Sequence, residues 1–143
     1  MCVHTEEKQM ADRKIVQIFG DSIMKGVWYD EKNSRYRLAR DRFMPLTAEG
    51  FVIENRAVMG MTVTSGWEVM QRRLHDPGKS IVLLEFGGND CDYNWQEIAA
   101  DPSGVHYPHT DRDFFFSQYA QLVEYAGERG ALVMLCNLVP LDA

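Results

Sequence analysis

Lys14-Ile15-Val16-Gln17-Ile18-Phe19-Gly20-Asp21-Ser22 is the stretch on which the fold turns. Ile15 to Phe19 form a short apolar run rich in β-branched residues, the pattern of a buried strand. Gly20, Asp21 and Ser22 follow at once, so a serine stands at the strand's exit, flanked by a glycine and an acid. A hydroxyl in that place is positioned to act as a nucleophile. Two more strand-like runs end in comparable signals. Residues 51–55 lead into Asn55-Arg56-Ala57-Val58-Met59-Gly60, and residues 80–86 lead into Gly87-Gly88-Asn89-Asp90.

A fourth apolar run covers residues 131–139. Between the second and third runs, Val63, Trp67, Met70 and Leu74 recur at near-helical spacing, as do Phe115, Tyr119, Leu122, Val123 and Ala126 between the third and fourth. Gly130 closes the later helix in the usual place for a C-terminal glycine. This alternation predicts βαβ units and a parallel sheet with helices on both faces. The first connection is more complex. Val27-Trp28-Tyr29-Asp30 and Arg35-Tyr36-Arg37-Leu38 flank residues 31–34 as a small hairpin, and a short helix over residues 43–49 carries Pro45 in its first turn. Residues 91–110 form a long loop punctuated by Pro102, Gly104 and Pro108, with a short helix at Trp95–Ala100. Loops of this length in compact domains are functional or disordered.

The fourth run is apolar on both faces, which suits a strand inside a sheet. Only Pro140-Leu141-Asp142-Ala143 follow it, and a bare apolar edge is an aggregation liability. The expectation is one domain over residues 1–143, incomplete at its C-terminus or completed by a second polypeptide or another copy of the chain.

Composition narrows the function classes. The 21 acids outnumber the 15 lysines and arginines, for a net charge of −6, which argues against a nucleic-acid partner or an anionic membrane surface, since both call for a basic face. No apolar stretch approaches the roughly 18–20 residues of a membrane span, and the polar first fourteen residues lack the apolar core of a secretory signal. Cys2, Cys91 and Cys136 are odd in number and irregularly spaced. They read as reduced thiols in a cytoplasmic protein rather than a disulfide framework.

In an open α/β sheet, sites form beyond the carboxyl ends of the strands, where strand order reverses. If the first strand lies between the second and third, Ser22, Gly60 and Asn89 meet over one crevice. Acyl transfer needs a nucleophile with a base to take its proton, and donors aimed at the oxyanion. Ser22 supplies the hydroxyl, the N–H groups of Ser22 and Gly60 can donate, and the Asn89 amide is a third donor. Asp21 and Asp90 read as acceptors that organise the loops.

These three blocks, Gly20-Asp21-Ser22-Ile23-Met24-Lys25-Gly26, the Gly60 segment and Gly87-Gly88-Asn89-Asp90, resemble in order and spacing the first three blocks of the SGNH (GDSL-type) hydrolase family. The resemblance covers almost the whole chain. It implies a flavodoxin-like three-layer α/β/α fold, with strand order 2-1-3-4 here and the fifth strand absent. It also implies hydrolysis of a small-molecule ester or thioester without metal or other cofactor, with Ser22 as nucleophile, Gly60 and Asn89 completing the oxyanion hole, and Gly20, Asp21 and Asp90 in support. The family's last block, an Asp-x-x-His that carries the base, has no counterpart in these 143 residues.

Blander roles compete with each assignment. Ser22 alone could be a helix-capping serine, and Gly60 and Asn89 could be turn residues; three in register weigh against that. His4 lies in a polar start, His75 near a helix end, and His106 and His109 in the long loop, where no orienting partner for a base is evident. Cys91, beside Asp90, lacks a matched base. No Cys/His/Asp group has metal-ligand spacing. Tyr93 and Trp95, with Tyr107, line a substrate pocket or pack beneath the loop. The basic residues from Lys32 to Arg42 read as a solvated face. A truncated domain that keeps an ester- or carbohydrate-binding pocket without catalysis is the alternative to an esterase.

Overall fold

The computed structural model describes residues 14–39 and 44–137. Four strands form a parallel sheet: β1 (Ile15–Gly20), β4 (Val52–Asn55), β5 (Ser80–Glu85) and β6 (Leu132–Leu135), in the order β4-β1-β5-β6. This is the 2-1-3-4 order that the family resemblance implies. β1 is central, with Ile15 opposite Val52 on one side and Ser80 on the other. The order reverses at β1, so the exits of β1, β4 and β5 share one crevice.

Side chains alternate between two cores. Phe19, Val82, Leu84 and Phe86 face one side, where they pack with Met70 of α3 (Val63–Arg73) and Leu122 and Ala126 of α5 (Arg112–Glu128). Val16, Ile18 and Ile81 face the other side, with Met24 of α1 (Ser22–Lys25). Crossovers in a parallel sheet share one hand. The steps from β4 to β5 and from β5 to β6 run in the same overall direction and put α3 and α5 on one face; the step from β1 to β4 runs the other way and carries α1 and α2 (Met44–Ala48). On the first face the helix approaches closely because position 66 is glycine: a Cβ there would lie 2.4 Å from Cζ of Phe86.

The hairpin forms as expected, with β2 (Val27–Asp30) antiparallel to β3 (Arg35–Leu38). A 3-10 turn over Glu31–Asn33 joins them. Asp30 accepts from Asn33 Nδ2 at 2.8 Å and also pairs with Arg37. The side-chain hydrogen bond from Asn33 comes first, and that from Arg37 next, among the causes that lower the Asp30 carboxyl below its ordinary range. α2 carries Pro45 in its first turn; Phe43, at the start of the expected helix, lies outside the described residues.

The long loop holds the short helix α4 (Trp95–Ala100) and a bridge between Tyr93 and Pro108. β6 is shorter than the 131–139 run. It ends at Leu135, although Cys136 N–H still donates to Leu84 O at 2.9 Å. Among the described residues it pairs with β5 alone and lies at the edge of the sheet, where Met134 and Leu135 are exposed. The end of the expected strand, Leu138 and Val139, lies outside the described residues, as do residues 140–143.

Candidate active site

β1 delivers Ser22 to the carboxyl end of the sheet, as the first residue of α1. The preceding residue, Asp21, is the helix N-cap: its Oδ1 accepts from Ile23 N–H at 2.8 Å. The first N–H groups of a helix have no intrahelical partner. Among the described residues, neither the Ser22 N–H nor its Oγ makes a hydrogen bond, and the side chain is partly exposed.

β4 delivers Gly60 through a segment tied down at several points. Arg56 N–H donates to Ile18 O at 2.8 Å, and Val58 N–H to Gly20 O at 3.0 Å. Asn55 donates to Met24 O at 2.9 Å and accepts from Ala57 N–H at 3.0 Å, while Lys25 Nζ reaches Ala57 O at 3.2 Å. Met61 N–H then closes a turn onto Val58 O at 3.2 Å, with Gly60 at φ +74°. That is the position of a type II turn that requires a left-handed residue, hence glycine. The Gly60 N–H has no partner among the described residues.

β5 delivers Asn89 and Asp90. Asp90 is buried, and its two oxygens each receive Val63 N–H at 3.1 Å, with Thr110 Oγ1 on Oδ1 at 2.7 Å. One carboxylate thus fixes the start of α3 to the end of the long loop. Asn89 makes the connection that draws the three turns together: its Nδ2 lies 3.1 Å from Asp21 Oδ2 and 3.1 Å from Met61 O. Both neighbours are acceptors, so only nitrogen fits there, and both amide hydrogens are committed. Ser22 and Gly60 each adjoin a residue of this cluster.

Asp21, Asn89 and the Gly60 turn were legible in the sequence as single positions. Met61 and Asn55 were not. Met61 acts through its backbone carbonyl, which leaves no residue-type signal, while Asn55 looked like the plain end of a strand.

The three described imidazoles stand apart from Ser22 in the hydrogen-bond network. His75, at the opposite end of the sheet, bonds Glu54 at 2.6 Å and lies 3.5 Å from Asp76. The Glu54 hydrogen bond is the main cause that raises its pKa above 6.5. A raised folded-state value means the pair stabilises fully below about 6.5, and that contribution fades as pH rises through the folded value. An NMR titration is expected to show the elevated pKa, and Glu54→Gln to lower it; an unchanged titration in that variant would remove Glu54 as the cause.

His106 bonds Asp101 O at 2.7 Å. His109 lies nearest the cluster, its Nδ1 3.1 Å from Asn89 O. Nδ1 facing a carbonyl makes it the donor and leaves Nε2 as the basic nitrogen. His4 and Cys2 lie outside the described residues.

In the long loop, Trp95 Nε1 donates to Asp92 Oδ1 at 2.8 Å, and the Tyr93 and Trp95 rings lie 6.4 Å apart. Asp92 is held below its ordinary range, first by the Tyr93 N–H and then by this indole. Trp95 and Tyr107 are exposed, whereas Tyr93 is partly covered. Cys91 is exposed, with Sγ 3.5 Å from Gly88 O. Among the described residues, no cluster of three His, Cys, Asp or Glu could hold a metal, and no helix is long and apolar enough to cross a membrane.

A parallel α/β sheet reversing at β1 brings a serine, a left-handed glycine turn and an asparagine to neighbouring strand exits. A family model for the GDSL-like Lipase/Acylhydrolase family matches residues 18–142. The chain belongs to that family.

Solved structures share the fold. An acetyl xylan esterase, AlAXEase, is 20% identical with a TM-score of 0.57, over 85% of this chain and 57% of that one. TesA is 20% identical with a TM-score of 0.59, over 85% and 58%. A GDSL-like lipase from Bacteroides thetaiotaomicron is 18% identical with a TM-score of 0.55, over 92% and 55%. The chain therefore spans little more than half the length of these proteins. No curated protein matches it significantly.

Proposed function

We propose that this chain carries the nucleophile and oxyanion hole of a serine ester hydrolase that works through an acyl-enzyme on Ser22. The observation that carries this is the pair of N–H groups, Ser22 and Gly60, without partners among the described residues on turns that Asn89 ties together. Ser22 Oγ would attack the ester carbonyl, forming the Oγ–C bond as a base takes the hydroxyl proton. The oxyanion would fall to the Ser22 and Gly60 N–H groups, with Asn89 as third donor. Collapse expels the alcohol, which takes up a proton, and water then releases the acid. Each oxyanion donor contributes about 2.7–4 kcal/mol in the best-studied case.

The base is taken to come from polypeptide outside these 143 residues. The open edge of β6 is where such polypeptide, or a second copy, would pair, since an exposed apolar edge strand invites a partner. Beside it is a groove of about 550 Å³ lined by Phe86, Phe115, Phe116, Tyr119, Leu135 and Cys136. Burial is the first cause that pushes the Tyr119 hydroxyl in that groove up to about 12. Val58 and Met59, exposed beside Gly60, would meet the acyl group. No cofactor enters this chemistry, and the scattered cysteines suit a reducing, cytoplasmic setting.

A second function is favoured by one observation, the lack of any imidazole hydrogen-bonded to Ser22 among the described residues. In it the domain binds an ester or carbohydrate and turns nothing over. A fluorophosphonate probe, with imidazole supplied as base, separates the two. The esterase site is expected to give one adduct, mapped to Ser22; an unlabelled Ser22 would leave the binding domain.

A further inference from the structure

We infer that Asp21 is a positioning residue for Asn89, beyond its duty as a helix cap. This rests on the acyl-transfer function proposed above.

The Asp21 side chain is buried and divides its oxygens between two tasks: Oδ1 takes Ile23 N–H at 2.8 Å and Oδ2 takes Asn89 Nδ2 at 3.1 Å. Its setting leaves little room, since a Cβ on Gly88 would lie 3.2 Å from Oδ2. Asn89's other hydrogen points at Met61 O, also 3.1 Å away. An amide nitrogen carries two hydrogens, so Asn89 reaches an oxyanion only by sharing or giving up one of these bonds. The bond to a carboxylate is charge-assisted and the stronger of the two. The Met61 bond is therefore the one exchanged when charge develops on the substrate oxygen. At that moment Asp21 alone keeps nitrogen, and not oxygen, turned toward the crevice. An asparagine released from Asp21 could rotate and present its carbonyl to the oxyanion.

Asp21→Ser and Asp21→Asn test this, because serine and asparagine are both strong N-caps. If Asp21 only caps α1, both variants keep the wild-type rate of Ser22 acetylation by a nitrophenyl ester with imidazole as base. The positioning role predicts a loss on the order of 10²-fold at saturating ester, the scale of one oxyanion donor, with half-saturation unchanged. It also predicts that Asp21→Ser adds nothing to Asn89→Ala, since the two would remove one interaction. Additive losses overturn the inference.

A measurement that needs no activity runs beside it. The Asn89 side-chain amide signal, identified by its disappearance in Asn89→Ala, is expected to shift and to exchange faster with solvent in Asp21→Ser, with the backbone signals of β1 and β5 in place. An unmoved Asn89 amide overturns the inference even where the protein is active. A shifted amide in a protein whose Ser22 never acylates would sustain the Asp21–Asn89 coupling while the acyl-transfer function fails.

Discussion

Ser22→Ala is expected to abolish all protein-dependent hydrolysis of a short-chain nitrophenyl ester. Where a triad serine has a positioned base, its removal costs about 10⁶-fold in kcat. A base diffusing in solution forfeits most of the advantage of proximity, so imidazole supplied to this chain supports a slower rate. The expected loss is then the whole of the imidazole-dependent increment above the solution rate. Folding should not confound the comparison: Asp21 supplies the cap of α1, and the Ser22 hydroxyl has no hydrogen-bond partner among the described residues to lose. An increment that survives in Ser22→Ala would place the nucleophile elsewhere, with the exposed thiol of Cys91 as the next group to replace.

The second large effect is on stability. Phe86 is 3% exposed, fills the space left by Gly66 and stacks edge-on to Tyr119, with ring centroids 6.0 Å apart. Truncating such a residue costs about 3–5 kcal/mol through lost burial and the cavity left behind. Domains of this kind hold only about 5–15 kcal/mol in total, so Phe86→Ala should remove a large share of the stability. Phe86 also precedes Gly87-Gly88-Asn89-Asp90, and loosening it frees the turn that carries Asn89. Urea unfolding of Phe86→Ala is expected to show the full loss. A change under about 1 kcal/mol would mean that α3 and the sheet re-close over the gap, as sites able to collapse do.

Much of the sheet was legible because its two inner strands, β1 and β5, are buried on both faces. Ile15 to Phe19, interrupted only by Gln17, and Ile81 to Leu84 read as apolar runs for that reason, and their order came with the family resemblance. The end of β6 was less legible. Apolar residues continue past Leu135, and nothing in residue type marks where pairing stops. In the site, residue positions were readable and their bonding was not. That Asn89 spends both hydrogens on Asp21 and Met61 O depends on a backbone carbonyl and on a contact spanning 68 positions of chain. Asp90 is similar: its cap on Val63 and bond to Thr110 reach across the fold, and no local pattern announces either.

The central claim, that Ser22 is the acyl-accepting nucleophile over a crevice made by three strand exits, is tested most directly by trapping the acyl-enzyme. The chain is incubated with nitrophenyl acetate and imidazole, quenched in acid, and its peptides are weighed. With no imidazole hydrogen-bonded to Ser22 among the described residues to speed deacylation, the acetyl group should persist, and a single acetyl on the peptide bearing Ser22 is the predicted result. Acetyl groups scattered over lysines and Cys91, with Ser22 unmodified, would contradict it.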